Sequence, residues 1–274
     1  MIPAAFDYVR VDSADAAVAQ LVENGDDAKI LAGGHSLLPL MKLRLASPSK
    51  LIDVGRVKDL SYIRDAGDHI AIGALTRHRD VETSALLHAQ NELLSTVAGH
   101  VGDNQVRHRG TIGGSIAHGD GASDLPAAVL ALGGTIVARG PKGERTIAAS
   151  DFFQGFLTTA LAADELLTEI RVPKIPGAKV AYQKFNRRAQ DWAIVGVAAW
   201  KLGDASGVGL VNMDSVPVRA SAVEAALASG ASAADAAAHA SDGLTPPSDL
   251  NASPEFRSHL ARVLTRRALE TCGA

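Results

Sequence analysis

The chain is 274 residues long, 47% hydrophobic and 21% charged, with a formal net charge of −3, the make-up of a soluble globular protein with material for one elaborate domain or two or three smaller units. No basic stripe supports nucleic-acid binding, and no apolar run approaches the length of a membrane span. The start, Met1-Ile2-Pro3-Ala4-Ala5-Phe6-Asp7, lacks the basic and apolar regions of a secretion signal, so a cytoplasmic location is expected.

Residues 1–55 read as a compact βαβ-type unit. Ser13 is placed to cap a helix that carries Ala14, Ala16, Ala17, Val18, Leu21 and Val22 at helical spacing and stops at Gly25. Residues 29–32 predict a short strand running into Gly33-Gly34. Residues 36–45 predict an amphipathic helix with Lys42 and Arg44 outward, and residues 51–54 the next strand. Farther on, residues 63–72 predict a hairpin around Ala66-Gly67-Asp68, residues 76–84 a helix start and residues 93–102 a helix.

Residues 105–126 then hold five glycines, two histidines and two aspartates with few large apolar side chains. Glycine loses backbone entropy and packs nothing, so the expectation is a loop rather than a buried helix or strand. After it come a helix over 125–132 with Pro126 in its first turn, a strand over 135–139, a tight turn over 140–144 and a strand ending at Pro173. Residues 178–188, 193–202 and 208–213 are strand-like, with Gly207-Val208-Gly209 expected at a hairpin. An alanine-rich helical stretch covers 219–242, Pro246-Pro247 breaks the chain, and residues 254–271 form a terminal amphipathic helix. The single cysteine, Cys272, excludes an internal disulfide and an iron–sulfur cluster built from this chain alone.

The two glycine pairs, Gly33-Gly34 and Gly113-Gly114, offer unencumbered backbone N–H groups. Ser36, Thr111, Ser115 and Ser123 add hydroxyls. Neutral donors with glycines for close approach suit a pyrophosphate, and an ionised Asp124 suits the hydroxyls of a sugar or ribityl chain. Neither a dinucleotide fingerprint nor a P-loop occurs in a strand–helix setting, so this is not a Rossmann protein or a P-loop NTPase by motif.

Those residues carry a resemblance. Ala32-Gly33-Gly34-His35-Ser36-Leu37 followed by Pro39, and Thr111-Ile112-Gly113-Gly114-Ser115 running on to Asp124-Leu125-Pro126, resemble the two FAD-binding segments of molybdenum hydroxylase flavoproteins. That family comprises the medium subunits of carbon monoxide dehydrogenase-type enzymes and the flavin domain of xanthine dehydrogenases. The start of the chain, residues 41–46, residues 155–173 and residues 182–191 fit the same pattern.

The resemblance implies an α+β architecture: the two-subdomain FAD-binding fold of vanillyl-alcohol oxidase and the peptidoglycan-precursor reductase, with units at 1–57 and 58–175, plus a smaller C-terminal subdomain at 176–274. It implies that Ala32, Gly33, Gly34, His35 and Ser36, with Leu37, and Thr111, Ile112, Gly113, Gly114 and Ser115 wrap the FAD pyrophosphate. Asp124 would hold a sugar hydroxyl, Leu167 would touch the adenine or flavin, and Lys184 would lie near the isoalloxazine, with Tyr182 expected as a half-buried strand tyrosine. Ser115 departs from the Asn or Asp common in the second segment. His108 and His118 are expected to be hydrogen-bonding spacers rather than catalytic groups.

The function so implied is electron transfer in a heteromeric molybdenum hydroxylase, with carbon monoxide dehydrogenase-like oxidation first among the complexes. A large subunit would carry the molybdenum cofactor and a small subunit the [2Fe–2S] clusters, in a dimer of heterotrimers. This chain would pass electrons from a cluster to a quinone or NAD. It could associate with the inner face of the membrane without crossing it. The alternatives are an aldehyde- or N-heterocycle-oxidising member of the same family and a stand-alone FAD oxidoreductase.

Overall fold

The computed structural model describes residues 2–274. The chain opens with β1 (Asp7–Arg10), α1 (Ala14–Asn24), β2 (Ala28–Leu31), α2 (Leu37–Lys42) and β3 (Lys50–Asp53). The three strands are parallel in the order β1-β3-β2. The ends of α1 are where the residues place them: the Ser13 hydroxyl accepts the Ala16 amide, and Gly25 closes the helix at a φ of 55°. Its inward face, Ala17, Val18 and Leu21, packs with Ile52, Val54, Leu75 and Leu166, so this unit shares a core with the sheet that follows.

The middle of the chain runs β4 (Ile63–Asp65), β5 (His69–Gly73), α3 (His78–Thr83), α4 (Ala85–Gln90), α5 (Glu92–Gly99), α6 (Asn104–Arg109), α7 (Ile112–His118), α8 (Asp124–Ala131), β6 (Thr135–Gly140), β7 (Gly143–Ala148), α9 (Ala149–Phe152), β8 (Phe153–Gly155), β9 (Thr158–Thr159) and β10 (Leu166–Pro173). Its five-stranded sheet has the order β4-β5-β10-β6-β7 with antiparallel pairs throughout. The predicted hairpin over 63–72 is β4–β5. Arg139 of β6 pairs with Asp15 of α1 at 2.6 Å, tying the sheet to the N-terminal unit.

The glycine-rich stretch is not the loop its composition predicts. It folds as α6, α7 and the start of α8. Gly113 sits in α7 because there is no room for anything larger: a Cβ there would lie 2.6 Å from the Ala74 carbonyl oxygen, the same oxygen that accepts the Gly113 amide at 2.9 Å. Gly119 ends α7 in the left-handed conformation at a φ of 66°. Close approach of α7 to the backbone after β5 offsets the roughly 1 kcal/mol that each helical glycine costs against alanine.

The last part holds β11 (Lys179–Phe185), β12 (Val195–Leu202), β13 (Ala205–Val211), β14 (Val218–Arg219), α10 (Ser221–Ala228), α11 (Ala233–Ala237) and α12 (Pro254–Thr271). The strands form one antiparallel meander. On one face α12 buries Leu260, Leu264, Ala268 and Leu269 in a core shared with Val197, Val208 and Leu210. On the other face lies α8, every residue of which is buried, as expected of a helix apolar all round.

Gly207 and Gly209 were expected at a hairpin but lie inside β13, and the turn falls at Gly203-Asp204. Side chains at 207 and 209 would run into the Ala131 and Ala127 carbonyls of α8, so these glycines set the helix-to-sheet approach. Trp200 completes that seam by donating its indole N–H to Ala131 O at 2.8 Å.

Candidate functional site: a cleft between the glycine segments

A cavity of about 680 Å³ runs between the loop after β2 and the α6–α8 region. One lip is residues 32–36. Gly34 has a φ of 79°, and a Cβ on Gly33 would land on the Arg109 carbonyl and 2.9 Å from Gly110 Cα. The Gly33 backbone therefore rests directly on the end of α6. Among the described residues, the backbone amides of Gly33, Gly34, His35 and Ser36 have no protein acceptor. Four consecutive unpaired amides at a cavity wall form a concave donor set that suits an anion.

The other lip is the start of α7, and here the donors are mostly spent. Thr111 caps the helix by accepting the Gly114 amide on Oγ1 at 3.1 Å. Ile112 and Gly113 donate to Thr76 O and Ala74 O, and Ser115 to Thr111 O. This lip contributes the bare Cα of Gly114, its shared amide, and the Thr111 and Ser115 hydroxyls. Both glycine segments meet at one cavity as expected, with unequal roles: the first supplies free donors, the second a close-packed wall.

Of the predicted residues, Ala32, Gly33, Gly34, His35, Ser36, Leu37, Thr111, Gly113, Gly114, Ser115, Asp124, Leu167 and Lys184 border the cavity. Ile112 does not border it. It is fully buried in the central core and its amide is committed to Thr76, because at the first position of α7 its side chain faces inward. His118 borders the cavity, whereas His108 binds Asn104 O through Nδ1 on the outside of α6. Burial pushes the His118 imidazole below its ordinary pKa.

At the far end of the cleft, Asp124 opens α8 and Lys184 extends from β11. Their ion pair is 2.8 Å long, and both side chains are at most 7% exposed. Lys184 also donates to His100 O at 3.0 Å, and the buried Tyr182 hydroxyl donates to the other carboxylate oxygen of Asp124. Tyr182 is thus buried, not half-buried, and it packs edge-on against the His100 ring. Burial pushes the Asp124 carboxyl up, with the Lys184 ammonium and the Tyr182 hydroxyl opposing that rise. Lys184 is consequently no free cation: its charge is matched by Asp124, and a ligand at this end meets a nearly neutral, hydrogen-bonded pair.

The remaining wall is mixed. Leu157, Leu161, Leu166 and Leu167 supply apolar surface, and Gln190, Asp191 and Trp192 lie on the loop between β11 and β12. Trp192 is 55% exposed. Two residues missed by sequence reasoning stand out. Trp192 is a large aromatic in a polar loop, which was a usable signal. His78, at the start of α3, had none, because only the fold brings it beneath Gly110.

The donor set fits a flavin dinucleotide: free amides for the diphosphate, an anchored carboxylate and ammonium for polyol or ring oxygens, and an apolar flank for a flat ring. Comparison with known proteins agrees. Residues 4–175 match the FAD binding domain in molybdopterin dehydrogenase, and residues 180–272 match the CO dehydrogenase flavoprotein C-terminal domain. The carbon monoxide dehydrogenase medium chain of Hydrogenophaga pseudoflava is 39% identical over 284 residues, covering 100% of this chain and 99% of that protein. The 6-hydroxypseudooxynicotine dehydrogenase complex subunit alpha of Paenarthrobacter nicotinovorans is also 39% identical, covering 98% and 95%. A solved structure of the Hydrogenophaga pseudoflava carbon monoxide dehydrogenase, in a form that lacks the Mo-pyranopterin moiety of the molybdenum cofactor, superposes with a TM-score of 0.96 at 41% identity over 100% of this chain and 99% of that one. The chain therefore belongs to the FAD-binding medium-subunit family of the molybdenum hydroxylases, a family of oxidoreductase subunits.

Proposed function

We propose that this chain is the electron-exit subunit of a heteromeric molybdenum hydroxylase, holding FAD in the cleft between its glycine segments. The observation that carries this reading is the run of four unpaired amides, Gly33 to Ser36, facing the bare Cα of Gly114 across one cavity. In that reading Ala32 to Leu37, Thr111 and Gly113 to Ser115 hold the dinucleotide, Asp124 and Lys184 hold polar groups at the far end, and Leu167 lines the apolar wall. On a division into units at 1–57, 58–175 and 176–274, all three would border the cleft, the third through Lys184, Gln190, Asp191 and Trp192.

Bound FAD would supply the ability to take up electrons one at a time and pass them on as a pair. The protein's own residues position it, and they tune it less than a lone lysine would. At an effective dielectric near 20, an unpaired cation 4 Å from a developing negative charge is worth about 4 kcal/mol. Pairing Lys184 with Asp124 at 2.8 Å cancels most of that. The electron source has to lie elsewhere, since the single thiol, Cys272, is buried against α12 and β12, where desolvation pushes its pKa up to about 11.

The reading assigns a small [2Fe–2S] subunit as electron donor, a large molybdenum-cofactor subunit as the site of substrate oxidation, a dimer of such trimers as the assembly, and a quinone or NAD as acceptor. Among the described residues no helix is long and apolar enough to cross a membrane, so contact with a membrane quinone pool would be peripheral. Two relatives of equal identity carry names for different substrates, carbon monoxide and 6-hydroxypseudooxynicotine. A carbon monoxide dehydrogenase-like complex is favoured by the full-length structural match.

Tagging the chain in its native host and measuring iron and molybdenum in the purified complex tests this directly. Both metals with two additional subunits are expected. A chain that purifies alone, flavin-loaded and metal-free, would instead establish a self-contained flavoenzyme.

A further inference from the structure

His78 is a buried imidazole that the reading above leaves without a task. It is 4% exposed, and its Nδ1 is sealed from solvent with no hydrogen-bond partner. Its other edge lies under the cleft: a Cβ on Gly110 would meet His78 Cδ2 at 2.6 Å and Nε2 at 2.7 Å. Gly110 in turn supports Gly33, whose amide begins the unpaired run. The His78 contact requires glycine at 110, and the contact of residue 33 with Gly110 requires glycine at 33.

The charges around this corner are mixed, with Arg77, Arg107 and Arg109 set against Asp53, Asp80, Asp103 and Glu82, the last paired with Arg107 at 2.9 Å. His35 is pushed down by burial and by Arg109 and Arg77, with Asp103 the one carboxylate opposing them. His78 is held down to about 4 by burial, with His35, Arg77 and Arg107 adding to the effect. Arg77 donates to Arg109 O, which draws both arginine-bearing segments to the same place. The imidazole of His78 is therefore uncharged and carries one proton. An orphan donor sealed inside protein is disfavoured more than an orphan lone pair, so the proton belongs on Nε2, toward Gly110 and the cavity.

Building on the FAD assignment, we infer that the diphosphate sits at this corner and that His78 donates to it through Nε2–H as an uncharged hydrogen-bond donor beneath the Gly33–Ser36 amides. Arg77 and Arg109 add positive potential near His35 beside the free amides, without themselves bordering the cavity. The start of α7, with its amides committed, serves as the opposing wall. A neutral donor gives orientation without burying a further charge.

The test uses the full chain, purified with whatever subunits accompany it, stripped of flavin and titrated with FAD, ADP and riboflavin. Fluorescence quenching and 31P chemical shift are the readouts, and melting temperature is followed in parallel. His78→Leu removes the donor together with an unsatisfied nitrogen, so the unliganded protein should melt no lower than wild type. FAD and ADP affinity should fall roughly tenfold to a hundredfold, the range for a hydrogen bond to a charged group, while riboflavin binding stays unchanged. His78→Gln, which retains an N–H donor, should hold FAD and ADP within about threefold of wild type. Equal FAD and ADP affinity in His78→Leu and wild type would overturn the inference, as would a loss shared equally with riboflavin. Failure of wild type to bind FAD would sink the flavin assignment separately. In that outcome the ADP titration still decides whether His78 serves a diphosphate, and no ADP binding by wild type overturns it.

Discussion

Gly114→Val separates ligand binding from folding. A Cβ on Gly114 meets only the Thr111 hydroxyl, at 2.7 Å, and otherwise open space. That space is the cleft, since residue 114 is exposed and borders the cavity. On the folding side, the change crowds the hydroxyl that caps α7, worth about 1 kcal/mol, and returns a few tenths because valine is a better helix residue than glycine. The net is within about 1 kcal/mol, or roughly 2–4 °C in melting temperature for a chain of this size. On the ligand side, an isopropyl group enters a wall fitted to a bare Cα. Overpacking of that kind costs about 1–3 kcal/mol, or roughly 5- to 150-fold in affinity. The assay is flavin content of the purified protein, followed by FAD titration alongside a melting curve. A near-native melt with little retained FAD is expected. Stoichiometric FAD in the variant would refute the placement of the second glycine segment against the ligand.

Gly113→Ala should do the reverse, lowering the melting temperature by the equivalent of about 1–3 kcal/mol, because its Cβ hits the Ala74 backbone rather than the cleft; an unchanged melt would show that α7 is free to shift. Lys184→Met should cost about 3–5 kcal/mol at neutral pH by leaving Asp124 buried and unpaired. The double variant Lys184→Met, Asp124→Asn should recover much of that loss, and strict additivity in the cycle would deny the pair. His78 should make the protein acid-labile. Its folded pKa, about 4, is below its ordinary 6.5, so the unfolded chain binds the extra proton first, and stability falls as pH drops from about 6.5 to about 4. The full effect is about 3 kcal/mol. His78→Gln should flatten the melting temperature across that window, and an unchanged acid slope would place the titration on other groups.

Much of the fold was legible because local rules and tertiary packing agreed. Ser13 and Gly25 mark helix ends by capping chemistry that depends on few distant partners, and the terminal helix begins at Pro254 as its periodicity predicts. Residues 105–126 were misread because glycine has two uses that composition cannot separate: freeing the backbone, and letting two backbones touch. Gly113, Gly207 and Gly209 serve the second, and the partner that requires it (Ala74, Ala131 or Ala127) is far away in the chain. The same limit applies to the cleft. Asp124 and Lys184, named from the resemblance, both border it. That they neutralise each other was not legible, because 60 positions separate α8 from β11. His78 was invisible for the same reason: its role depends on Gly110 lying over its ring.

The most direct test of the flavin assignment is the visible spectrum of the protein purified with its partner subunits, set against its chain concentration. One FAD per chain is predicted, released as intact dinucleotide on denaturation and lost in Gly114→Val. A wild-type preparation that carries all its subunits but no flavin, and takes up none when FAD is added, would contradict the account.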